Sequence, residues 1–232
     1  MCWSASASIA ATVIGTVGTI YAAKKGYPKA QVFTLGFFTA MELLQAISYG
    51  WIGQCSANEN TILTYLSYLH ICFQPVVMNA FMLSFLSKEK RQKWFRVTMS
   101  ISIMASVLLF LKFFIPIVWT IPQELLCRIG DPLCGTDVCT YRGNWHLAWR
   151  LPLFGPIPGY LLYFTPLFIL PIFYGSWKTS LYHFFTGPVL AHLLTTDKNE
   201  APAIWCLFSV SLLCFMLFAK KKSKVTSKAV HN

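Results

Sequence analysis

Apolar residues run along the chain in seven long stretches, and a short polar or basic segment follows most of them. A hydrocarbon core about 30 Å thick requires roughly 20 mostly apolar residues for one helical crossing. Each stretch therefore predicts a membrane-spanning helix, and together they predict an all-α bundle of seven transmembrane helices. The predicted spans are residues 4–23, 31–53, 61–86, 97–121, 157–174, 178–195 and 202–219.

The seven spans form one predicted transmembrane domain, residues 1–220, which a basic tail follows at 221–232. Its longest predicted connection is the cysteine-containing segment 122–156. The fifth span is short, and proline removes a backbone donor and clashes with the preceding turn of a helix. We therefore expect this span to be kinked or broken at one of its prolines, which are Pro158, Pro166 and Pro171.

The first span is rich in small residues that recur every four positions. Small side chains let two helices approach closely in a membrane, so this pattern predicts tight packing of the first helix on a neighbour. The residues are Ala7, Ala11, Gly15 and Thr19. No basic residue precedes Lys24, which favours a retained helix over a cleaved signal peptide.

The composition excludes a soluble protein. Hydrophobic residues make up 56% of the chain and charged residues only 12%, whereas a soluble domain carries about 25% charged residues. The chain therefore lacks the polar side chains that would coat a globule in water. The same hydrophobicity excludes a disordered chain.

The net charge of +11 reflects membrane topology and does not indicate a nucleic-acid partner. Fourteen Lys and Arg residues lie in alternate loops and the tail, and only four lie in the remaining loops. Short cytoplasmic loops carry the excess of Lys and Arg. The chain is thus predicted to be an integral protein of a plasma, inner or internal membrane, with its N-terminus outside and its basic tail cytoplasmic.

Cysteines near the predicted outer side are candidates for disulfides, because that compartment is oxidising. Their pairing does not follow from the sequence. The candidates are Cys55, Cys127, Cys134 and Cys139. A zinc site on Cys134 and Cys139 fits poorly with both their spacing and the compartment.

The end of the large loop contains two tryptophans, Trp145 and Trp149, at helical spacing. On a helix they would share one face, which predicts either an interfacial anchor or a lid over an outward-opening cavity. The candidate residues for this outer mouth are Trp145, His146, Arg150, His192 and Asp197.

Four ionisable residues fall inside predicted spans, where such residues are costly and mark function by default. Counted at about 1.5 Å per residue from the outer ends of their spans, all four lie about 14–18 Å deep. They are Glu42, His70, Lys112 and His183. Gln45 and Gln74 lie one turn from this layer, on the same faces as Glu42 and His70.

Two structural interpretations of Lys112 remain open. Lys112 could form a buried ion pair with Glu42 that fixes helix packing, or its side chain could extend outward alone to the interface. Pro116 removes the amide that would bond the carbonyl of Lys112, and this unpaired carbonyl is a plausible ion or water ligand.

The polar layer predicts a site for a small molecule or ion, as in a transporter or receptor, with Glu42 and His70 as a titrating pair. No cofactor is predicted for this function. The alternative is a membrane-embedded lipid hydrolase in which His70, His183 and Glu42 bind zinc. A second alternative is a structural or assembly protein whose polar layer only specifies packing. Expected partners are the lipid bilayer and a small molecule, ion or lipid; the oligomeric state is open.

Overall fold

The computed structural model describes residues 5–212 and 215–216, and most of these residues are helical. Four of the helices in this part of the chain are long and apolar enough to cross a membrane, as predicted for the first four spans. They are α1 (Ala5–Lys24), α2 (Lys29–Ser48), α3 (Asn58–Leu83) and α4 (Lys88–Val118). A 3₁₀ turn, Tyr49–Trp51, extends α2.

The regions of the fifth and sixth predicted spans are shorter helices, each containing a π-helical turn. In the first, α5 (Gly159–Phe164) and α6 (Leu170–Tyr174) flank the π turn Thr165–Ile169. In the second, α7 (Trp177–Phe184) and α8 (Leu190–Leu194) flank the π turn Phe185–Val189. Each π turn contains a proline, which has no backbone N–H to donate. The wider π turn accommodates this gap in the helical hydrogen bonding.

The last described helix, α9 (Ala201–Ser209), occupies a central position. It packs against α2, α8, the second π turn and the second strand of a small sheet. Most of its side chains are therefore buried. The predicted basic tail 221–232 and part of the seventh predicted span lie outside the described residues.

A two-stranded antiparallel sheet lies in the large loop, so the all-α prediction is incomplete. Strand β1 (Cys139–Arg142) pairs with β2 (Leu147–Arg150), with Cys139 opposite Arg150. The predicted helical face of Trp145 and Trp149 is absent, because Trp149 lies in a strand. Trp149 is buried, whereas Trp145 lies in the turn and is exposed.

Side chains at the start of α3 fix the sheet to the helices. The amide of Asn60 donates to the carbonyl of Thr140 at 2.8 Å, and its Oδ1 accepts from the amide of Thr140 at 2.9 Å. The hydroxyls of Thr64 and Thr140 are 2.7 Å apart. A disulfide between Cys55 and Cys139 adds a covalent connection at the same place.

The sheet and its neighbouring loops define one end of the bundle, named here the hairpin end, which comprises residues 49–57, 119–158 and 195–200. The opposite end, named the basic end, comprises turns 25–28, 84–87 and 175–176 with the first residues of α4. Contacts within each end connect distant parts of the chain. At the basic end, Gln31 donates to Ser84 at 2.9 Å, and Ser176 donates to the carbonyl of Met82 at 3.1 Å.

Helices α1 and α2 pack closely because Gly15 faces Thr39. A Cβ atom at position 15 would lie 2.3 Å from Oγ1 of Thr39 and 3.1 Å from its Cβ. Such distances are too short for any side chain, so glycine is required here. The small residues of the first stretch thus mark a close contact between helices.

Replacing Gly15 by alanine is expected to lower the midpoint of thermal unfolding, because overpacking a tight contact costs about 1–3 kcal/mol. The midpoint is measured on protein in lipid nanodiscs. Gly36→Ala is the matched control, since its nearest neighbour would be an ordinary 3.6 Å away. Adding Thr39→Ala to Gly15→Ala should recover part of the loss; an unchanged midpoint in Gly15→Ala would contradict this packing.

Candidate functional site

A cavity of about 570 Å³ lies near the hairpin end. Helices α3, α4, α5, α8 and α9 contribute to its wall, together with parts of the large loop. Its size is in the range of pockets that bind drug-sized molecules. The cavity is therefore a candidate binding site for a small molecule.

Aromatic and aliphatic side chains form most of the cavity wall. The aromatic residues are Tyr68, Tyr160, Tyr163, Phe164 and Trp205. Among the few polar groups, Gln74 donates to Sγ of Cys206 at 3.3 Å, and both residues belong to the wall. An apolar wall with a few polar groups is typical of small-molecule sites.

Lys112 fixes one side of the cavity by holding the loop that precedes α5. Its ammonium donates to the carbonyls of Phe154 and Ile157, each at 2.6 Å. Its own carbonyl accepts from the amide of Phe154 at 2.6 Å. The carbonyl that Pro116 leaves without its helical partner is thus occupied by the loop, and the expectation of an ion or water ligand there is corrected.

Contacts within the large loop stabilise its conformation beside the cavity. A disulfide joins Cys127 to Cys134, and the amide of Cys127 donates to the carbonyl of Leu153 at 2.7 Å. All four cysteines that the sequence marks as candidates are therefore paired. Cys127 belongs to the cavity wall, so this disulfide fixes one part of the rim.

Polar residues lie where the cavity reaches the surface. Asp131, Lys198, His192 and Tyr160 line the cavity and are exposed. Nδ1 of His192 is 2.8 Å from the carbonyl of Pro188. A carbonyl can only accept a hydrogen bond, so Nδ1 carries the hydrogen, and the Nε2 of the neutral ring is an acceptor.

The cavity wall contains only some of the residues that the sequence marks as site candidates. Gln74 and Lys112 line the cavity, as does His192 from the predicted outer mouth. The other predicted site residues lie outside its wall; they are Glu42, Gln45, His70, His183, Trp145, His146, Arg150 and Asp197.

The two histidines of the layer pack among aromatic rings. The His70 ring stacks on Phe37 with centroids 3.6 Å apart. His183 stacks on Phe168 at 5.8 Å and lies 5.4 Å from Trp205. Phe38 contacts both imidazoles, at 6.1 and 6.4 Å. These contacts favour a packing role for each histidine.

Glu42 does not pair with Lys112, whose ammonium is occupied by loop carbonyls. Glu42 is fully buried, and its two carboxyl oxygens have no hydrogen-bond partner of good geometry among the described residues. The predicted ion pair between Glu42 and Lys112 is therefore not formed.

Few potential metal ligands lie close together among the described residues. The group of potential ligands that lie within 4.8 Å of one another is Cys55, Asp137 and Cys139. Two of its members form a disulfide, so they cannot supply thiolates to an ion. His70, His183 and Glu42 do not form such a group.

The sequence pattern of one protein family matches residues 6–226 of the chain. The chain belongs to the family of unknown function DUF5765. No curated protein and no solved structure matches it. The match covers the helices, the large loop and the cavity of this DUF5765 member.

Beside the cavity, His146 joins the hairpin of the DUF5765 chain to α2. Its Nε2 bonds to Oε1 of Gln45, and its Nδ1 lies 2.6 Å from the hydroxyl of Tyr49. The neutral imidazole satisfies both contacts, since Nε2–H donates to the amide oxygen and Nδ1 accepts from the hydroxyl. Burial lowers the pKa of His146 to about 4, which favours this neutral form.

Glu200 holds the turn of the hairpin from the other side. Its carboxylate accepts from the backbone amides of Trp145 and His146 and from the hydroxyl of Thr195. Two further polar contacts brace the sheet: Arg150 pairs with Asp137 at 2.6 Å, and Tyr141 donates to Asp197 at 3.2 Å. The predicted mouth residues His146, Arg150 and Asp197 thus hold the hairpin in place.

The sequence pattern does not predict the role of Glu200 in holding the hairpin, nor the aromatic wall of the cavity. Glu200 directly precedes α9, where an acidic residue is common, so position alone did not distinguish it. Trp205 packs closely on Gly187, where a Cβ atom would lie 2.2 Å from Nε1 of Trp205. The sequence does not reveal that pairing, which brings two helices together.

The stability of the hairpin end is expected to fall as the pH decreases from about 6.5 to about 4. The pKa of His146 is about 4 in the folded protein against 6.5 for an ordinary histidine. In this interval the unfolded chain binds a proton that the folded chain excludes, so folding weakens by on the order of 3 kcal/mol. Thermal unfolding in nanodiscs across this pH interval measures the effect.

His146→Gln should flatten this pH dependence, because it removes the titrating ring. His192→Gln is the matched control and should retain the slope, since His192 is exposed. An equal slope in wild type and His146→Gln would show that the acid sensitivity has another origin.

Proposed function

We propose that this DUF5765 member is a seven-span membrane protein whose cavity binds a small amphiphilic molecule, as a transporter or receptor does. The observation that carries the proposal is the 570 Å³ cavity with an aromatic wall and polar groups at its rim. In this proposal the N-terminus is outside, the hairpin end faces outward, and the basic end is cytoplasmic.

The distribution of charge supports this orientation. The basic end carries Lys24, Lys25, Lys29 and the basic start of α4, whereas Asp131, Asp137 and Asp197 lie at the hairpin end. Cytoplasmic loops are enriched in Lys and Arg. Both disulfides also lie at the hairpin end, and disulfides persist on the oxidising side of a membrane.

The rim of the cavity supports entry from the outer half of the bilayer. The inner halves of the fifth and sixth spans pack together, α6 against α7. Toward the hairpin end, α5 and α8 contribute Tyr160 and His192 to the cavity, and both side chains are exposed. A molecule dissolved in the membrane would reach the cavity between these two helices.

The chemistry of the wall favours an uncharged amphiphile with a hydroxyl-bearing head and a compact apolar body. Tyr163, Phe164 and Trp205 offer flat apolar surfaces to such a body. At the rim, Nε2 of His192 and the carboxylate of Asp131 can accept hydrogen bonds from a hydroxyl. The ammonium of Lys112 is bonded to two loop carbonyls, so it does not require an anionic head group of the ligand as a partner.

The metal-dependent hydrolase is less well supported, because the ligand atoms of His70, His183 and Glu42 do not form a compact group. Stoichiometric zinc in purified protein that is lost in His70→Ala would favour it over the binding function.

The binding function is tested by identifying what accompanies the protein when a styrene–maleic acid polymer extracts it directly from the membrane. Wild-type protein should carry one amphiphile enriched over the bulk lipids, as measured by mass spectrometry of the organic extract. Ala191→Phe should abolish this enrichment, because Ala191 is buried in the cavity wall and a larger side chain fills the space.

Leu193→Phe is the matched control, since Leu193 lies on the same short helix and is 78% exposed. It should retain the enrichment seen in wild type. Equal small-molecule content in wild type and Ala191→Phe would contradict the proposed function.

A further inference from the structure

Two glutamates of this chain are completely buried, and their surroundings differ sharply. Glu200 accepts hydrogen bonds from two backbone amides and a hydroxyl. Glu42 has no hydrogen-bond partner of good geometry for either carboxyl oxygen among the described residues. A buried carboxylate needs donors or a cation to remain charged. Glu200 has three donors, whereas the Ser8 hydroxyl is the one donor that lies beside Glu42 among the described residues.

The groups that face Glu42 from the packed helices offer no positive charge. The Ser8 hydroxyl of α1 lies beside it, and this hydroxyl is itself buried and without a partner of good geometry. From α9 the facing group is the thiol of Cys206. The titratable groups that α3 and α7 turn toward α2 are His70 and His183, which pack against Phe37 and Phe38.

A proton fits these surroundings better than a metal ion does. Sodium or calcium sites require several oxygen ligands arranged around the ion, whereas here one carboxyl group lies beside one hydroxyl. A single proton on the carboxyl group removes its charge, and the neutral acid can pair with the Ser8 hydroxyl either as donor or as acceptor. It therefore resolves both unsatisfied polar groups at once.

Glu42 also lies next to the wall of the cavity. Helices α2 and α9 run antiparallel, and Nε2 of Gln45 is 3.5 Å from the carbonyl of Ala203. One helical turn from this contact brings Glu42 to the level of Cys206. Cys206 and its donor Gln74 line the cavity, so Glu42 lies close to this part of the cavity wall.

We propose that Glu42 is a proton-binding site, neutral and hydrogen-bonded to Ser8, whose proton exchanges with the adjoining cavity past Gln74 and Cys206. This assignment replaces the pair of Glu42 and His70 that the sequence suggests. The presence of the proton does not depend on the proposed ligand. Only its exchange through the cavity rests on the proposed binding function.

Infrared spectroscopy of the protein in nanodiscs tests the proton directly, because a neutral carboxylic acid absorbs at a different frequency from a carboxylate. At neutral pH, wild-type protein should show a carboxylic-acid band that is absent in Glu42→Gln. Ser8→Ala should shift the frequency of this band, because the acid loses its hydrogen-bond partner. A spectrum in which Glu42→Gln removes no acid band would overturn the proposal.

Glu200→Gln is the matched control, since it removes an equally buried glutamate that has donors; it should leave the acid band in place. Glu59→Gln, at the exposed start of α3, serves the same purpose without disturbing the hairpin. Loss of the acid band in Glu59→Gln would assign the proton elsewhere and contradict the proposal.

Exchange through the cavity is measured by the shift of the acid band after transfer to D₂O. Ala191→Phe should slow this shift severalfold, whereas Leu193→Phe should leave its rate unchanged. Equal rates in both variants would exclude the cavity as the route, even where the acid band itself is present. Failure of the proton site and failure of the pocket are therefore distinguishable.

Discussion

The architecture of the hairpin end depends on one residue, Lys112, which is bonded to the same loop in two ways, first through its side chain and second through its backbone carbonyl. Its ammonium holds the carbonyls of Phe154 and Ile157, and its backbone carbonyl holds the amide of Phe154. Pro116 makes the second bond possible, because it removes the helical donor that would otherwise occupy that carbonyl. The loop before α5 has irregular backbone whose polar groups need hydrogen-bond partners, and Lys112 supplies them.

The cavity follows from this anchorage. With the loop held against α4, segment 155–159 becomes a wall, and the disulfide of Cys127 and Cys134 braces the rim beside it. On the opposite side, Glu200 and His146 hold the hairpin over α2 and α9. Some polar groups near the cavity thus hold the loop in place, and others do not. His192 at the rim and Glu42 near the wall belong to the second group.

The sequence predicted the long helices well, because α1 to α4 each contain a mostly apolar stretch that is long enough to cross a membrane. It also identified Lys112 and Glu42 as unusual, because a charge within such a stretch is conspicuous. It could not find the partners of Lys112, which lie 42 and 45 residues further along the chain. The spacing of Trp145 and Trp149 suggests a helix where the structure has strand Leu147–Arg150, because four residues carry too little periodicity to indicate a strand. The paired strand Cys139–Arg142 determines the conformation of this segment.

The most direct test of this account is the hydrogen exchange of the Phe154 amide in nanodiscs, resolved at the level of single residues. The account predicts strong protection in wild type, and its loss in Pro116→Ala, where the restored helical amide competes for the carbonyl of Lys112. Rapid exchange of this amide in wild type, or protection that is unchanged in Pro116→Ala, would contradict the claim that Lys112 holds the loop and thereby forms the cavity.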